Sequence, residues 1–385
     1  MNGCQSSDDS SAAFHHRLPF SGKPYDLQVI DLNHDGLQDL VVVDHGENLA
    51  EIFFQLKSGD FQKSNQTLPV GYHPGHFWVE ASGNRILQAA EGDGKIRSFS
   101  FSNDGQVEME SELTERFAEY LARFQWPGWQ DALAVTPYHQ NYVVLYKGYD
   151  PGKGDFAERF ELPFSEKHPS VVEPERPEVL DLDQDGSDEL IYVARISEQL
   201  IALKAPVSES EGPRREVLMH DERWGMPGEA HGADLNEDGF PDLVIGDETL
   251  PGMIRMLMND GHGNLSEIPP LDPQGSEGIS KLATAIDKDG ARLLAVTEFD
   301  HLKLFRMEKG WQPGAPAPFR NLSWPRNRAG VLALKDLNGD GWLDLVTSVQ
   351  NGKDALWVVY GPLWTHFEEL EKDAHFDFSA RKIEK

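Results

Sequence analysis

The chain has 385 residues, 39% of them hydrophobic, a formal net charge of −30 and a single cysteine. That length suits two ordinary domains or one large repeat fold. The charge disfavours nucleic acid and acidic membrane surfaces as partners, one cysteine excludes an intrachain disulfide framework, and no run of 18 apolar residues exists to span a bilayer.

The chain begins with Asn2-Gly3-Cys4-Gln5-Ser6-Ser7-Asp8-Asp9. Gly-Cys ahead of a polar Ser/Asp stretch looks like a bacterial lipoprotein cleavage site, although the apolar segment expected before it is missing. Residues 1–17 are therefore expected to be a disordered tether with a lipid-anchor candidate at Cys4, and residues 18–385 a single domain. The alternative is an incidental cysteine in a disordered tail.

The first patterned stretch is Asp31-Leu32-Asn33-His34-Asp35-Gly36-Leu37-Gln38-Asp39-Leu40, running into Val41-Val42-Val43, and it returns at 181–190, 234–243 and 336–345. The frame has Asp at its first position, Asp or Asn at the third, Asp at the fifth, Gly at the sixth and an acid at the ninth, followed by an apolar strand. Calcium takes about six to eight oxygens from carboxylates and carbonyls, and acids at alternate positions gather oxygens around one point if the chain curls. Gly at the sixth position permits the curl. The first half resembles an EF-hand loop, but the closing acid comes early and strand residues follow, which argues for a metal loop joining two strands. A single copy would read equally well as an Asp-Gly hairpin turn; four copies in one register favour the metal.

The first positions fall at 31, 181, 234 and 336, steps of 150, 53 and 102, so units of 50 to 53 residues predict degenerate copies near 81, 131 and 285. Near 81, Phe77-Trp78-Val79-Glu80-Ala81 and Ile86-Leu87-Gln88-Ala89-Ala90 read as two strands around a plain hairpin. Leu113, Phe117, Leu121 and Phe124 then recur at helical spacing, so a short helix is expected within Ser111–Gln125, capped by Ser111 and inserted before the third unit, with a long loop as the alternative. Near 131, Asp131-Ala132-Leu133-Ala134-Val135 keeps only the end of the frame. Near 285, Ile286-Asp287-Lys288-Asp289-Gly290 keeps the turn, but Ala285 and Leu293 replace the first and ninth acids and no metal is expected. One further step from 336 reaches about 387, so seven units use the chain.

The four loops resemble the FG-GAP/VCBS repeat family, the calcium-loop repeats also found in integrin α-subunit propellers. The match is specific at the loops and weak between them. The resemblance implies an all-β, seven-bladed β-propeller with each metal loop between the first and second strands of a blade. It also implies up to four structural Ca²⁺ ions, held by Asp31, Asn33, Asp35 and Asp39; by Asp181, Asp183, Asp185 and Glu189; by Asp234, Asn236, Asp238 and Asp242; and by Asp336, Asn338, Asp340 and Asp344. Glu189 departs from the usual Asp, which puts the geometry of that loop in doubt. Four ions would bring the net charge only to about −22, so metal accounts for part of the acidity. Leu18-Pro19-Phe20 or His375-Phe376-Asp377-Phe378 is expected to supply a joining strand for the ring.

A weaker repeat, an aromatic residue beside Pro and often Gly, reads Tyr72-His73-Pro74-Gly75-His76, Trp126-Pro127-Gly128-Trp129, Trp224-Gly225-Met226-Pro227-Gly228 and Trp324-Pro325-Arg326. In a propeller the turns leading into first strands share a face with the second-to-third-strand loops, which carry His45, His139 and His301. That face, opposite the aspartate loops, should collect these side chains around the central channel, with His231 lining the channel from within a strand. Such a surface suits stacking on sugars, holding a peptide or acid–base work; equally, the aromatic turns serve as wedges between blades. Nothing resembles a nucleophile elbow, a P-loop, a dinucleotide fingerprint or a zinc Cys/His spacing.

The expected function is an extracytoplasmic binding or scaffold module, monomeric, with a glycan or protein ligand and no nucleic-acid partner. The alternative is a carbohydrate-active enzyme, such as a polysaccharide lyase or sugar dehydratase, using the face opposite the calcium loops. Against it stands the scarcity of Arg and Lys in those loops, Arg326 excepted.

Overall fold

The computed structural model describes residues 14–20, 22–80, 82–164, 173–208, 211–249, 252–271, 278–299, 301–323, 329–349 and 356–372. Among them are seven antiparallel four-stranded sheets. Blade one comprises Pro24–Ile30, Asp39–Asp44, Leu49–Gln55 and Phe61–Leu68; blade two Pro74–Val79, Arg85–Ala90, Lys95–Phe101 and Val107–Thr114. Blade three comprises Ala118–Trp126, Trp129–Pro137, Tyr142–Lys147 and Glu158–Pro163; blade four Glu178–Leu180, Glu189–Ala194, Gln199–Lys204 and Arg214–His220. Blade five comprises Pro227–Ala233, Asp242–Asp247, Ile254–Asn259 and Leu265–Ile268; blade six Ile279–Ile286, Arg292–Glu298, His301–Met307 and Phe319–Ser323. Blade seven takes Ala329–Lys335, Asp344–Val349 and Leu356–Val359 from the end of the chain and His15–Leu18 from its beginning. Each first strand touches the first strands of the blades on either side, and blade seven touches blade one, so the ring is closed. The molecule is a seven-bladed β-propeller.

Period-two side-chain alternation explains why the second strands are apolar throughout. In blade one Leu40 and Val42 pack toward blade seven, with Val331, Val346 and Val358. Val41 and Val43 pack toward blade two, with Phe77, Ile86 and Phe99. Every blade-to-blade interface carries one such cluster. The outermost strands face water on one side and alternate accordingly, as in Phe61–Leu68.

The N-terminal strand closes the ring by pairing His15 with Val359 and Leu18 with Leu356. It starts before the expected 17/18 boundary, so the domain includes at least His15–Arg17; Cys4 and residues 375–378 lie outside the described residues. The expected helix at Ser111–Gln125 is not formed. Those residues are the fourth strand of blade two and the first of blade three, joined by a tight turn with Phe117 at φ 60° and exposed. Burial of Ala118–Trp126 against both neighbours leaves no clean period of two there, and Leu113 in the exposed outer strand and Phe117 in the turn complete the helical spacing by coincidence. A helix does form at Leu363–Lys372, burying Leu363, Phe367 and Leu370 against the outer strand of blade six. Among the described residues no helix is long and apolar enough to cross a membrane.

Candidate functional site

Two faces can be distinguished. The aspartate loops all join first to second strands and lie on one face. They share one hydrogen-bond pattern. The first-position Asp accepts the amides of the fifth and sixth residues: Asp35 and Gly36 donate to Asp31 at 3.1 and 3.0 Å, Asp185 and Gly186 to Asp181 at 3.0 and 3.0 Å, and Asp238 and Gly239 to Asp234 at 3.1 and 2.9 Å. In blade seven the amide of Gly341 donates to Asp336 at 2.9 Å. The ninth-position acid is buried and accepts the second residue's amide, from Leu32 to Asp39, Leu182 to Glu189, Leu235 to Asp242 and Leu337 to Asp344, at 2.7–3.0 Å.

Burial, with neighbouring loop carboxylates adding to it, pushes Asp39 and Asp242 up to about 6 and Glu189 and Asp344 up to about 7. Buried carboxylates crowded by others and surrounded by hard oxygen donors are what a calcium ion would satisfy, so the donor set fits. Blade four differs in detail. Asp181, Asp183 and Glu189 bring one oxygen each within 4.8 Å of one another, and Lys204 Nζ lies 3.8 Å from Glu189 and 4.0 Å from Asp183. The other three ninth-position acids instead accept a third-strand-end amide, from Gln55, Asn259 or Gly361.

On the opposite face the channel opens into a cavity of about 500 Å³. Its lining comes from first strands just inside the face, and from the second-to-third-strand loops. The first strands are polar there because they border the channel and not a neighbouring sheet. In six of the seven blades the pairing of the first strand slips near its start, at Pro24/Leu27, Pro74/Phe77, Ala118/Tyr120, Pro227/Ala230, Ile279/Lys281 and Ala329/Val331. Such irregularities re-aim side chains, and they fall on the residues that line the cavity.

An aromatic run descends from the rim: His73 against His45 at 4.7 Å, His45 against Tyr25 at 5.0 Å, Tyr25 against His76 at 5.0 Å and His76 stacked on Tyr120 at 4.5 Å. The Tyr25 hydroxyl donates to Glu119 at 2.8 Å and that of Tyr120 to Glu175 at 3.0 Å. His76 Nδ1 is 3.3 Å from Asp26, whose other oxygen accepts the Phe77 amide at 2.8 Å. Arg195 bridges Glu175 at 2.9 Å and Glu248 at 3.1 Å, and Lys281 lies 3.4 Å from Glu229.

These surroundings split the protonation states. Burial, with Glu175, Glu91 and Glu229 nearby, pushes Glu119 up to about 8 against the donated Tyr25 hydrogen bond. Burial would also raise Glu229, but Lys281, His76, Arg176 and His231 outweigh it and hold that carboxyl well below the usual range. Burial pushes His231 down to about 4, helped by Arg176 and Lys281 and opposed by Glu229. At neutral pH the cavity therefore holds a protonated carboxylic acid, an ionised carboxylate and a neutral imidazole.

His76, His139 and His231 line the cavity as the sequence suggested. His45 and His73 stand above it, His73 bound to Glu91 at 2.9 Å, and Tyr72 is exposed on the rim. His139 pairs with Glu173 there. His301 sits on the same face, half-buried, outside the cavity lining. Trp126 and Trp129 do not belong to this face. They flank the two-residue turn between the first and second strands of blade three, beside the aspartate loops, where Trp126 Nε1 donates to the Asp188 carbonyl at 2.6 Å. The Pro-Gly there makes a hairpin and not a blade-to-blade turn. Trp224 follows the expected turn but is fully buried between blades four and five, with Arg255 over its ring at 5.7 Å. Trp324 and Arg326 lie outside the described residues.

The sequence reading missed Tyr25, Glu119, Tyr120, Glu175, Arg195, Glu229 and Lys281. A signal was present: Pro24-Tyr25-Asp26, Ala118-Glu119-Tyr120, Gly228-Glu229 and Ser280-Lys281 place charge or hydroxyl inside strands that precede wholly apolar ones. Of the two cations lining the cavity, Lys281 comes from a strand and Arg195 from the loop after a second strand.

No protein-family model matches the sequence, and no curated protein sequence matches it. Solved structures do. U3-55K superposes with a TM-score of 0.57 at 13% identity over 90% of this chain and 98% of its own. A Lactobacillus plantarum protein gives 0.55 at 15% identity over 80% of this chain and 87% of its own. The virginiamycin B lyase of Staphylococcus aureus gives 0.53 at 13% identity over 89% of this chain and 99% of its own. These likenesses share the propeller fold, and the fold alone.

Proposed function

We propose that the protein is a binding module whose working site is the channel mouth opposite the aspartate loops, with a glycan or a protein segment as ligand. The observation that carries this reading is the cavity of about 500 Å³ where Tyr25, His76, Glu119, Glu175, Glu229 and Lys281 converge. A concave, water-accessible site with several convergent polar groups is the usual form of a ligand pocket. The four aspartate loops hold calcium as a structural element, and the setting is extracytoplasmic with a lipid anchor at Cys4; both parts rest on the repeat resemblance and on the Gly-Cys context. The chain acts as a monomer.

Gly228→Leu tests the site. A Cβ there meets only the Gly246 carbonyl, at 3.4 Å, so a larger side chain grows into the cavity without backbone strain. A glycan array and a peptide library probed with both proteins should show ligands captured by wild type and not by G228L, with equal melting temperatures. Identical capture by both, or none by wild type, would contradict the proposal.

One observation favours a second reading, acid–base chemistry on a carbohydrate by a lyase or dehydratase. Glu119 keeps its proton at neutral pH while Glu229 has lost its own and His231 is neutral. That division supplies a proton donor and proton acceptors in one pocket. A polysaccharide-cleavage screen that detects new carbon–carbon double bonds, run with wild type and Glu119→Gln, tests it. Turnover abolished by E119Q is the expected outcome, and absence of turnover by wild type removes this reading.

A further inference from the structure

Resting on the reading of the channel mouth as a ligand site, the charge within it narrows the ligand's chemistry. Five carboxyl groups line the cavity, the protonated Glu119 and Glu173, Glu175, Glu229 and Glu248, against two permanent cations, Arg195 and Lys281. Both cations are already engaged, Arg195 by Glu175 and Glu248 and Lys281 by Glu229. Glu173 pairs with His139. Glu119 is buried and bonded to the Tyr25 hydroxyl, a neutral donor. The carboxylates thus outnumber the permanent cations, with Glu175 and Glu248 sharing Arg195.

The Tyr25, His76 and Tyr120 rings, from blades one to three, line one side of the cavity beside Glu119 and Glu175, with His76 5.0 Å from Tyr25 and 4.5 Å from Tyr120. Rings next to carboxylates attract a cation through both the ring face and the charge. Blades five to seven add small or apolar lining at Gly246, Ile279, Leu282 and Ala329 beside Glu248 and the Glu229–Lys281 pair. A pocket with aromatic rings, an excess of carboxylates and apolar patches matches an aliphatic stem ending in a cation.

The rim indicates what carries that stem. Tyr72, Phe117, Tyr138, Ile196, Met226 and Phe299 are large apolar side chains at least 41% exposed, and all stand in loops of this face. Apolar side chains around a charged mouth are a surface on which a polypeptide lies, and a chain of net charge −30 attracts basic partners at long range.

We propose that the pocket receives a protonated Lys or Arg side chain presented by a partner polypeptide, the flanking partner residues resting on the apolar rim. A uronate would meet carboxylates, and a neutral sugar would leave the charge uncompensated.

A random peptide display library selected on the wild-type protein tests this. Enriched peptides should share Lys or Arg at one position. A synthetic peptide of that sequence should bind at least tenfold more tightly than versions with Nε-acetyl-lysine or norleucine there, and its affinity should fall steeply with added salt. Glu173→Gln, which removes a carboxylate from the cavity lining, should weaken the cationic peptide several-fold and leave the norleucine version unchanged. Gly228→Leu should abolish binding, which gives a second variant should E173Q fail to fold. Enrichment without a shared cation, equal binding of the norleucine peptide, or no enrichment would overturn the inference. Capture of a neutral glycan that G228L blocks would overturn it while leaving the broader binding reading intact.

Discussion

Glu119 shows how one buried side chain ties stability to pH. Its carboxyl ordinarily titrates near 4.5 and is pushed up to about 8, mainly by burial. The folded protein therefore holds this proton more tightly than the unfolded chain. The associated stability is complete below about pH 4.5 and is lost as pH rises through about 8. Melting curves of wild type and E119Q should converge in acid and separate in base, the variant gaining on the order of a few kcal/mol; parallel curves would show that Glu119 is ionised in the fold. His231 acts at the other end. Held down to about 4 mainly by burial, it costs stability as pH falls from about 6.5 to about 4. His231→Gln should flatten the acid side of the profile, measured in the same way. Neither effect was legible in the sequence. His231 was placed in the channel because it precedes Asp234 by three residues, but Glu119 fell inside the misread helical stretch. What sets its pKa is burial, with Glu175, Glu91 and Glu229 approaching from other blades, which no local pattern encodes.

At the scale of elements, the aspartate loops were fully legible and much else was not. The frame repeats because each loop must curl at the same point between two strands, and the structure places all four between first and second strands. If calcium fills them, excess chelator should lower the melting temperature of the metal-loaded protein, and Asp238→Ala should lower it by removing one loop's ligand set. Thermal unfolding with and without chelator, after measuring bound metal, decides the matter; an unchanged curve from a loaded sample would count against it. The terminal helix went unread because its three buried residues, Leu363, Phe367 and Leu370, sit among Trp, His and Glu side chains in ten residues. Phe367 is fully buried against blade six, so Phe367→Ala should cost about 3–5 kcal/mol in denaturant unfolding. The blade-two and blade-three strands were misread because burial on both faces of Ala118–Trp126 removes the alternation that marks a half-exposed strand, and Leu113 and Phe117 ahead of it happen to extend its spacing.

For the whole molecule, even spacing was enough to count blades, since each unit must have the same angular share of the ring. The pocket could not be read the same way. It is assembled from residues of every blade, most of them unremarked in their own strand or loop, and it exists only once the ring is closed. Closure itself depends on the short strand His15–Leu18. Removing residues 1–18 should therefore lower the melting temperature and expose the edge of Leu356–Val359, measurable as faster amide exchange there. Unaltered exchange would mean that blade seven does not need its fourth strand.

That same strand also sets which side of the wheel its first residue occupies. His15 pairs with Val359 at the aspartate-loop end of the outermost edge, while Leu18 lies toward the cavity side. A reporter group attached at His15 would therefore sit behind the wheel and at its periphery, leaving the open bowl free to meet whatever approaches from solution.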